Sequence, residues 1–419
     1  MTDAPTDTLP PAPAPAADPS RPTAAAVGWS FPVARAQPCD PPAEYRTEEG
    51  EPIRRVPLSY GGEAWLVTGY KQARAVLADH HGFSSDSTLP GYPAFPLSSK
   101  RTVPGHFLSM DPPQHTRLRQ LVAAEFSGSR VRALRPALAA SAEELIDRMT
   151  AAGGPQDLVS ALAVPLPALS ASQMLGTPLA DRDFFLACTR DLQTHDATVA
   201  QRVLAAGKMN QYLEQLFTAK RTGTDQDLFS RLARSLDDDV LTMAELVGVA
   251  NLIVVAGLET TAGLFSLTVL SLLADRRQGD LVREDPERWA GPAVAEALRY
   301  WTLVQHGVAR VATREVELGG RLIRAGDGVV VHLATANRDR SVFEEPDRFD
   351  LTRGVRSQLA FGHGIHRCLG SFLAQTQTEL AVAALMRRLP GLRLAEPQAE
   401  PAFLAEMLIY GLRNLNVTW

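Results

Sequence analysis

The ten residues FGHGIHRCLG, at 361–370, bring three glycines, two histidines, one arginine and one cysteine into a short stretch. Glycine is favoured where a backbone turns sharply or approaches a flat object, so we expect an irregular loop here. Helical spacing of apolar residues resumes at 369–389, which puts Cys368 where the loop meets a helix. The helix N-terminus, backbone N–H groups and Arg367 are expected to stabilise a thiolate at this position.

Residue spacing alone leaves three roles open for Cys368. A lone cysteine is commonly a buried structural residue. A zinc site made by His363, His366 and Cys368 would need a fourth ligand, and the sequence offers no evident one. A nucleophilic cysteine with His366 as its base would be expected to carry a local signature, and none is present.

The composition of the chain favours a large core and no polyanionic partner. Of the 419 residues, 45% are hydrophobic, and the formal net charge is -5. This charge balance gives no electrostatic basis for binding nucleic acid or an anionic membrane. Cys39, Cys188 and Cys368 form no paired motif, so we predict neither disulfides nor a zinc ribbon, and a reducing cytoplasm as the location. Cys39 and Cys188 are interpreted as ordinary thiols.

The domain organisation follows from composition and periodicity. Residues 1–27 are rich in proline and alanine and are predicted to be a disordered leader. Residues 28–419 contain no repeat or internal linker and are predicted to be a single domain. Helical spacing dominates from residue 118 onward, with short β patterns at 64–69, at 314–333 and at the C-terminus. These patterns predict a mainly α fold, a large helical body with small β-sheets.

The apolar stretch at 246–274 is long enough to cross a bilayer. Glu259, Thr260 and Thr261 lie near its centre, where an ionised carboxylate would cost about 2.5–3.5 kcal/mol. A helix that is apolar on all sides is also what the centre of a large soluble protein requires. We therefore predict a buried helix and no membrane association.

FGHGIHRCLG resembles the haem-binding loop of the cytochrome P450 family, whose pattern is FxxGxxxCxG. The matching positions are Phe361, Gly364, Cys368 and Gly370. The resemblance implies the cytochrome P450 fold and haem b, with Cys368 as the axial thiolate ligand of the iron. It also implies that Phe361 packs beside the sulfur, that Gly362 and the other glycines let the loop lie against the porphyrin, and that His366 reaches a propionate.

The segment AGLETT, at 256–261, resembles the family's oxygen-activating stretch, in which an acid precedes a threonine. Small residues at Ala256 and Gly257 would thin one face of the helix for O2 and substrate. Glu259 and Thr260 would then supply a proton route in an otherwise dry wall. The alternative is a helix kink in which threonine bonds back to a carbonyl group.

Three further segments fit the same resemblance. His115 and Arg119 lie four residues apart on a predicted helix, and with Arg310 they correspond to the family's propionate-binding residues. Glu296 and Arg299 form an ExxR pair on one helical face. In the family, an arginine of a PxRF segment joins that pair, and here this is Arg348. We expect these last three residues to have a structural role.

The implied activity is that of a soluble, actinomycete-type monooxygenase. It would use O2 and two electrons to hydroxylate or epoxidise a hydrophobic small molecule, such as a polyketide- or macrolide-type secondary metabolite. Because the sequence contains no flavin or nicotinamide fingerprint, a separate ferredoxin and ferredoxin reductase are implied as electron donors. The protein is expected to be a monomer. The alternatives are a peroxide-driven peroxygenase and a non-catalytic haem carrier or sensor.

Substrate recognition, by family analogy, would fall to the loop at 81–110, to the region at 170–205, and to a set of pocket side chains. These are Val255, Leu258, Leu303, Val304, His306 and Leu408.

Overall fold

The fold is organised around one long apolar helix, α8, which spans Met243–Ala274. Thr242 begins it with a capping box, in which the Thr242 side chain accepts from the Glu245 N–H and the Glu245 side chain binds back to Thr242. By length and composition this helix could cross a membrane, but 67% of its most apolar window is buried inside the protein. The computed structural model describes residues 27–46, 51–93, 103–194, 196–236, 240–355 and 357–419.

The other helices of the described residues surround α8. They are α1 (Tyr70–Ala78), α2 (Gln114–Ala123), α3 (Gly128–Ala151), α4 (Pro165–Leu175), α5 (Arg182–Gln193), α6 (Val199–Arg221), α7 (Leu228–Arg234), α9 (Arg276–Glu284), α10 (Pro286–Trp301), α11 (Leu333–Ala336) and α12 (Ser371–Arg388). A π-helical turn, Val159–Ala163, leads into α4. The prediction of a mainly α fold is confirmed.

Three small sheets lie beside the helical body. One has the strand order β1-β2-β8-β5-β3, the second β4-β10-β9, and the third is the hairpin β6-β7. Among these pairs, β2 with β8 is parallel and the others are antiparallel. The strands are β1 (Ile53–Pro57), β2 (Glu63–Val67), β3 (Phe83–Ser84), β4 (Gln156–Asp157), β5 (Val308–Ala312), β6 (Val316–Leu318), β7 (Arg321–Ile323), β8 (Gly328–Val331), β9 (Arg393–Leu394) and β10 (Asn416–Thr418).

Two large hydrophobic clusters meet along α8. The first joins the C-terminal half of α8, from Ala262, to α3, α10 and α12. The second joins its N-terminal half, from Leu246 to Leu258, to α2 and to α4, α5, α6 and α7. Because α8 supplies apolar side chains to both clusters, it positions the helices of these two clusters around the site described below.

The segment at 27–46 crosses the outside of this core as a strap. The Tyr410 hydroxyl donates to the Pro38 carbonyl oxygen at 2.9 Å, and Arg46 pairs with Asp347 at 2.6 Å. The buried Arg338 binds the same Asp347 carboxylate at 2.9 Å and donates to the Cys39 carbonyl oxygen at 3.0 Å. Of the predicted leader, residues 1–26 lie outside the described residues.

Candidate active site

The loop that carries Cys368 is closed by its own backbone. The Cys368 N–H donates to the Phe361 carbonyl oxygen at 2.8 Å, and α12 begins three residues later, at Ser371. Gly364 has a φ of 72°, in the left-handed region. A Cβ at Gly364 would lie 2.2 Å from the Leu77 carbonyl oxygen, so the loop can approach α1 only because this residue is glycine.

Cys368 is exposed on this loop. Desolvation raises the pKa of its thiol above the usual value, whereas the Gly370 N–H, Arg367 and Arg119 act in the opposite direction. The net pKa shift is upward. Desolvation outweighs these three groups in setting the direction of the shift.

The middle of α8 presents an open face. Ala256 and Gly257 are exposed although they lie at the centre of the molecule's central helix, and a Cβ at Gly257 would meet no atom within 4 Å. One turn later, the Thr260 hydroxyl donates to the Ala256 carbonyl oxygen at 2.6 Å. Burial raises the pKa of Glu259, and the charge of Arg190 partly opposes this shift. The predicted acid and threonine thus flank the open face.

Two predicted histidines come together beside two arginines. The rings of His115 and His366 are 4.3 Å apart, and all four ring nitrogens are buried without a hydrogen bond of good geometry. Burial lowers the pKa of both rings, and neighbouring guanidinium groups lower it further. Arg310 is 4% exposed and donates to the neighbouring Ala309 carbonyl oxygen, and Arg119 donates to the Arg367 carbonyl oxygen. The cluster is positive and has unused hydrogen-bonding capacity.

The predicted ExxR pair is fully buried. Arg299 donates to the Glu296 carboxylate through Nε and Nη2, at 2.8 and 2.7 Å, and both side chains are 0% exposed. The third arginine is not Arg348, because its side chain is 59% exposed and pairs with Glu345. The Arg348 carbonyl oxygen accepts from Arg299, and the guanidinium that reaches Glu296, at 3.3 Å, belongs to Arg353. This corrects the sequence prediction.

The structure supports neither a zinc site at Cys368 nor a nucleophilic role with His366 as the base. Within the residues that the structure describes, no three His, Cys, Asp or Glu side chains converge as metal ligands. The His366 nitrogens make no hydrogen bond, so His366 is not bonded to the Cys368 thiol as a catalytic base would be.

The sequence matches known proteins over most of its length. A family model for cytochrome P450 matches residues 291–401. Cytochrome P450-SU2 of Streptomyces griseolus is 40% identical over 396 residues, which cover 93% of this chain and 97% of that protein. The chain belongs to the cytochrome P450 family.

Two further relatives support the assignment of this P450. Cytochrome P450 monooxygenase PikC of Streptomyces venezuelae is 41% identical over 388 residues, with 91% of each chain covered. The crystal structure of CYP105P1 in complex with filipin I has a TM-score of 0.86 at 38% identity, covering 93% of this chain and 98% of that one. This P450 is a monooxygenase, hence an oxidoreductase, and its family implies a haem cofactor.

The residues of this P450 fit a haem. A haem presents a flat face and two carboxylates, and the unpaired ring nitrogens of His115 and His366, with the buried Arg310, are suited to bind carboxylates. A Cβ at Gly362 or Gly370 would meet no atom within 4 Å, so the cysteine loop leaves space for a flat group.

The predicted pocket residues of this P450 separate into two groups. Leu258 is 4% exposed and packs in the second cluster, and Leu303 is 7% exposed and packs in the first, so both side chains belong to the core. The backbone of Leu303 and the other residues lie along contacts between α8, the segment before β5 and the C-terminal turn. Leu303 accepts from the Tyr410 N–H, Val304 pairs with Ile409, Leu408 donates to Gln193, and Val255 accepts from the Gln193 side chain.

His306 and Gln193 each make a contact that no sequence motif indicates. The His306 ring lies 6.5 Å from that of Phe31, which ties it to the strap. Gln193 belongs to no motif. It ends α5, and only the structure shows that its side chain contacts α8.

Proposed function

We propose that this P450 binds haem b and uses two electrons from a ferredoxin, through a ferredoxin reductase, to insert one oxygen atom of O2 into a hydrophobic small molecule. The product would be a hydroxylated or epoxidised secondary metabolite, of the polyketide or macrolide type. Binding of filipin I by the relative CYP105P1 supports this substrate class. The observation that carries the proposal is the open face of α8 at Ala256 and Gly257, flanked by Glu259 and Thr260.

Different residues of the chain would bind the iron, the macrocycle and the propionates of the haem. Cys368 would ligate the iron, with Phe361, Gly362, Gly370 and Ala256 against the macrocycle. The propionates would be held by His115, Arg119, Arg310 and His366. Haem, when bound, supplies the oxygen-activating chemistry.

Proton supply would fall to two side chains on α8. Glu259, whose pKa is raised by burial, holds a proton more readily than an exposed carboxylate and would pass it toward the open face. Thr260 has a hydroxyl on the same turn that can exchange its carbonyl partner for an incoming group. Ferredoxin would dock near Arg367, which is exposed beside the cysteine loop. We place the protein in the cytoplasm, as a monomer of one domain.

The test of the proposal is the absorption spectrum of the reduced protein under carbon monoxide. Thiolate ligation should shift the main band far to the red, and Cys368→Ser should abolish both this band and oxygenase activity. Cys188→Ser, which changes a thiol elsewhere, is the matched control and should retain both. Undiminished turnover by Cys368→Ser would refute the assignment of the ligand.

Two alternatives are separated by the source of oxidant. A peroxygenase would turn over with hydrogen peroxide alone as fast as with the ferredoxin system, whereas we expect the ferredoxin system to be faster. A haem carrier or sensor would consume no O2 in proportion to product. The acid and threonine at the open face of α8 favour the monooxygenase over both.

A further inference from the structure

Gln193, the last residue of α5, has no role in the function proposed above. Its side chain is 6% exposed, and its Nε2 donates a hydrogen bond to the Val255 carbonyl oxygen at 2.9 Å. Val255 directly precedes Ala256, where the open face of α8 begins. The side chain of Gln193 therefore fastens the end of α5 to α8 at the edge of the proposed pocket.

The backbone of Gln193 extends this connection to the C-terminal turn. Its carbonyl oxygen accepts from the Leu408 N–H at 3.0 Å, and Thr194 pairs with Met407. The Leu408 carbonyl oxygen accepts from the Gln305 N–H at 3.2 Å, and Gln305 Nε2 donates to the Met407 carbonyl oxygen at 2.5 Å. A continuous chain of hydrogen bonds thus runs from α8, through the end of α5 and the C-terminal turn, to the segment before β5.

The contact falls on the reactive turn of α8. Consecutive carbonyl groups, those of Val255 and Ala256, each accept a side-chain hydrogen bond, one from Gln193 and the other from Thr260. Both belong to the helix whose exposed residues face the pocket. A movement of α5 that broke the hydrogen bond between Gln193 and Val255 would therefore change the distance between α5 and the open face of α8.

We propose that Gln193 is a positioning residue that holds the end of α5 closed against α8 and the C-terminal turn, and so limits the size of molecules that enter the pocket. The closure depends only on the contacts above, whereas its effect on ligands of the haem iron rests on the proposed function. One buried hydrogen bond of this kind shifts an opening equilibrium by a factor of about two to ten.

The test uses the holoenzyme with Gln193→Met, which keeps the length of the side chain and removes the donor. Amide hydrogen exchange at 404–412 and at the end of α5 should rise about twofold to tenfold, while exchange in α12 stays unchanged. In stopped-flow measurements, the association rate of clotrimazole, a bulky imidazole, should rise by a similar factor. The rate of the compact 4-phenylimidazole should change by less than about twofold.

Gln377→Met is the matched control, because Gln377 is a buried glutamine of α12 and, like Gln193, has a side-chain Oε1 without a hydrogen-bond partner. It should leave exchange at 404–412 and the ratio of the two association rates unchanged. Wild-type exchange and rates in Gln193→Met, or equal changes in both variants, would overturn the proposal. If the wild type bound neither imidazole at iron, the proposed function would fail, whereas the exchange measurement would still report on the closure.

Discussion

At the scale of single residues, the hydroxyl of Thr260 is the feature most directly tied to the proposed chemistry. It lies one turn after Ala256 and beside Glu259. Thr260→Ala removes the hydroxyl and leaves the helix backbone intact, so we expect hydrogen peroxide release to rise and product per electron pair to fall about tenfold or more. Measuring peroxide and product against the electrons supplied through the ferredoxin reductase checks this. Thr268→Ala, which removes a threonine hydroxyl from a buried turn of α8, should leave the ratio unchanged.

Single residues also show which contacts sequence spacing can predict and which it cannot. The spacing of Glu296 and Arg299 was enough to predict a pair, because residues three apart on a helix are neighbours. The third arginine depends on the path of the chain between α11 and α12, where a 3-10 turn at Leu351–Arg353 directs Arg353 inward and leaves Arg348 outside. Motif position alone cannot distinguish two arginines five residues apart on an irregular segment.

At the scale of elements, α7 depends on a charged cap. Asp227 accepts from the Ser230 N–H at 2.9 Å and pairs with Lys220 at 2.9 Å. Burial alone would raise the pKa of Asp227, but the Ser230 N–H, Lys220 and the Ser230 hydroxyl together lower it below its usual 3.8. The charged carboxylate therefore stabilises the fold above this value, and the stabilisation is lost as the pH falls through the folded-state pKa.

Asp227→Asn tests this cap, because asparagine can still accept from the Ser230 N–H but carries no charge. We expect a loss of about 1–2 kcal/mol in the free energy of unfolding at pH 7, measured by urea denaturation. The difference from the wild type should shrink toward zero well below pH 3.8. Asp225→Asn, on the exposed loop before α7, should change little at either pH. A difference that stayed constant with pH would contradict the assignment.

The elements themselves were unequally predictable. Long helices such as α3, α8 and α12 follow from apolar periodicity, and β2 and β8 from apolar runs. The two-residue strands β3, β4 and β9 carry no pattern, because pairing partners far along the chain create them. The start of α2 also depends on a distant segment: the Asp111 carboxylate accepts from the Ser84 hydroxyl and the Ser85 N–H, and Pro113 is the residue before the helix.

At the scale of the whole molecule, Asp347 joins the strap at 27–46 to the helical body. Its carboxylate binds both Arg46 and the side chain of Arg338, which is 0% exposed. Asp347→Asn removes the negative charge that pairs with the buried guanidinium of Arg338. We therefore expect the free energy of unfolding to fall by about 1–3 kcal/mol. Chemical denaturation measures this, and Asp183→Asn, an exposed carboxylate 82% open to solvent, is the control. Equal stability of both variants would mean that the charge of Asp347 does not stabilise the fold.

The double use of α8 constrains how such an enzyme can acquire new substrates. The helix feeds both hydrophobic clusters, and its small residues form the open face of the site. Substitutions that enlarge or reshape that face also lower the free energy of unfolding, which is small in proteins. Residues 190–192 belong to neither cluster, so variation there draws less on this free energy than variation along α8. Evolution toward new chemistry is therefore expected to accumulate changes at the end of α5 sooner than along the central helix.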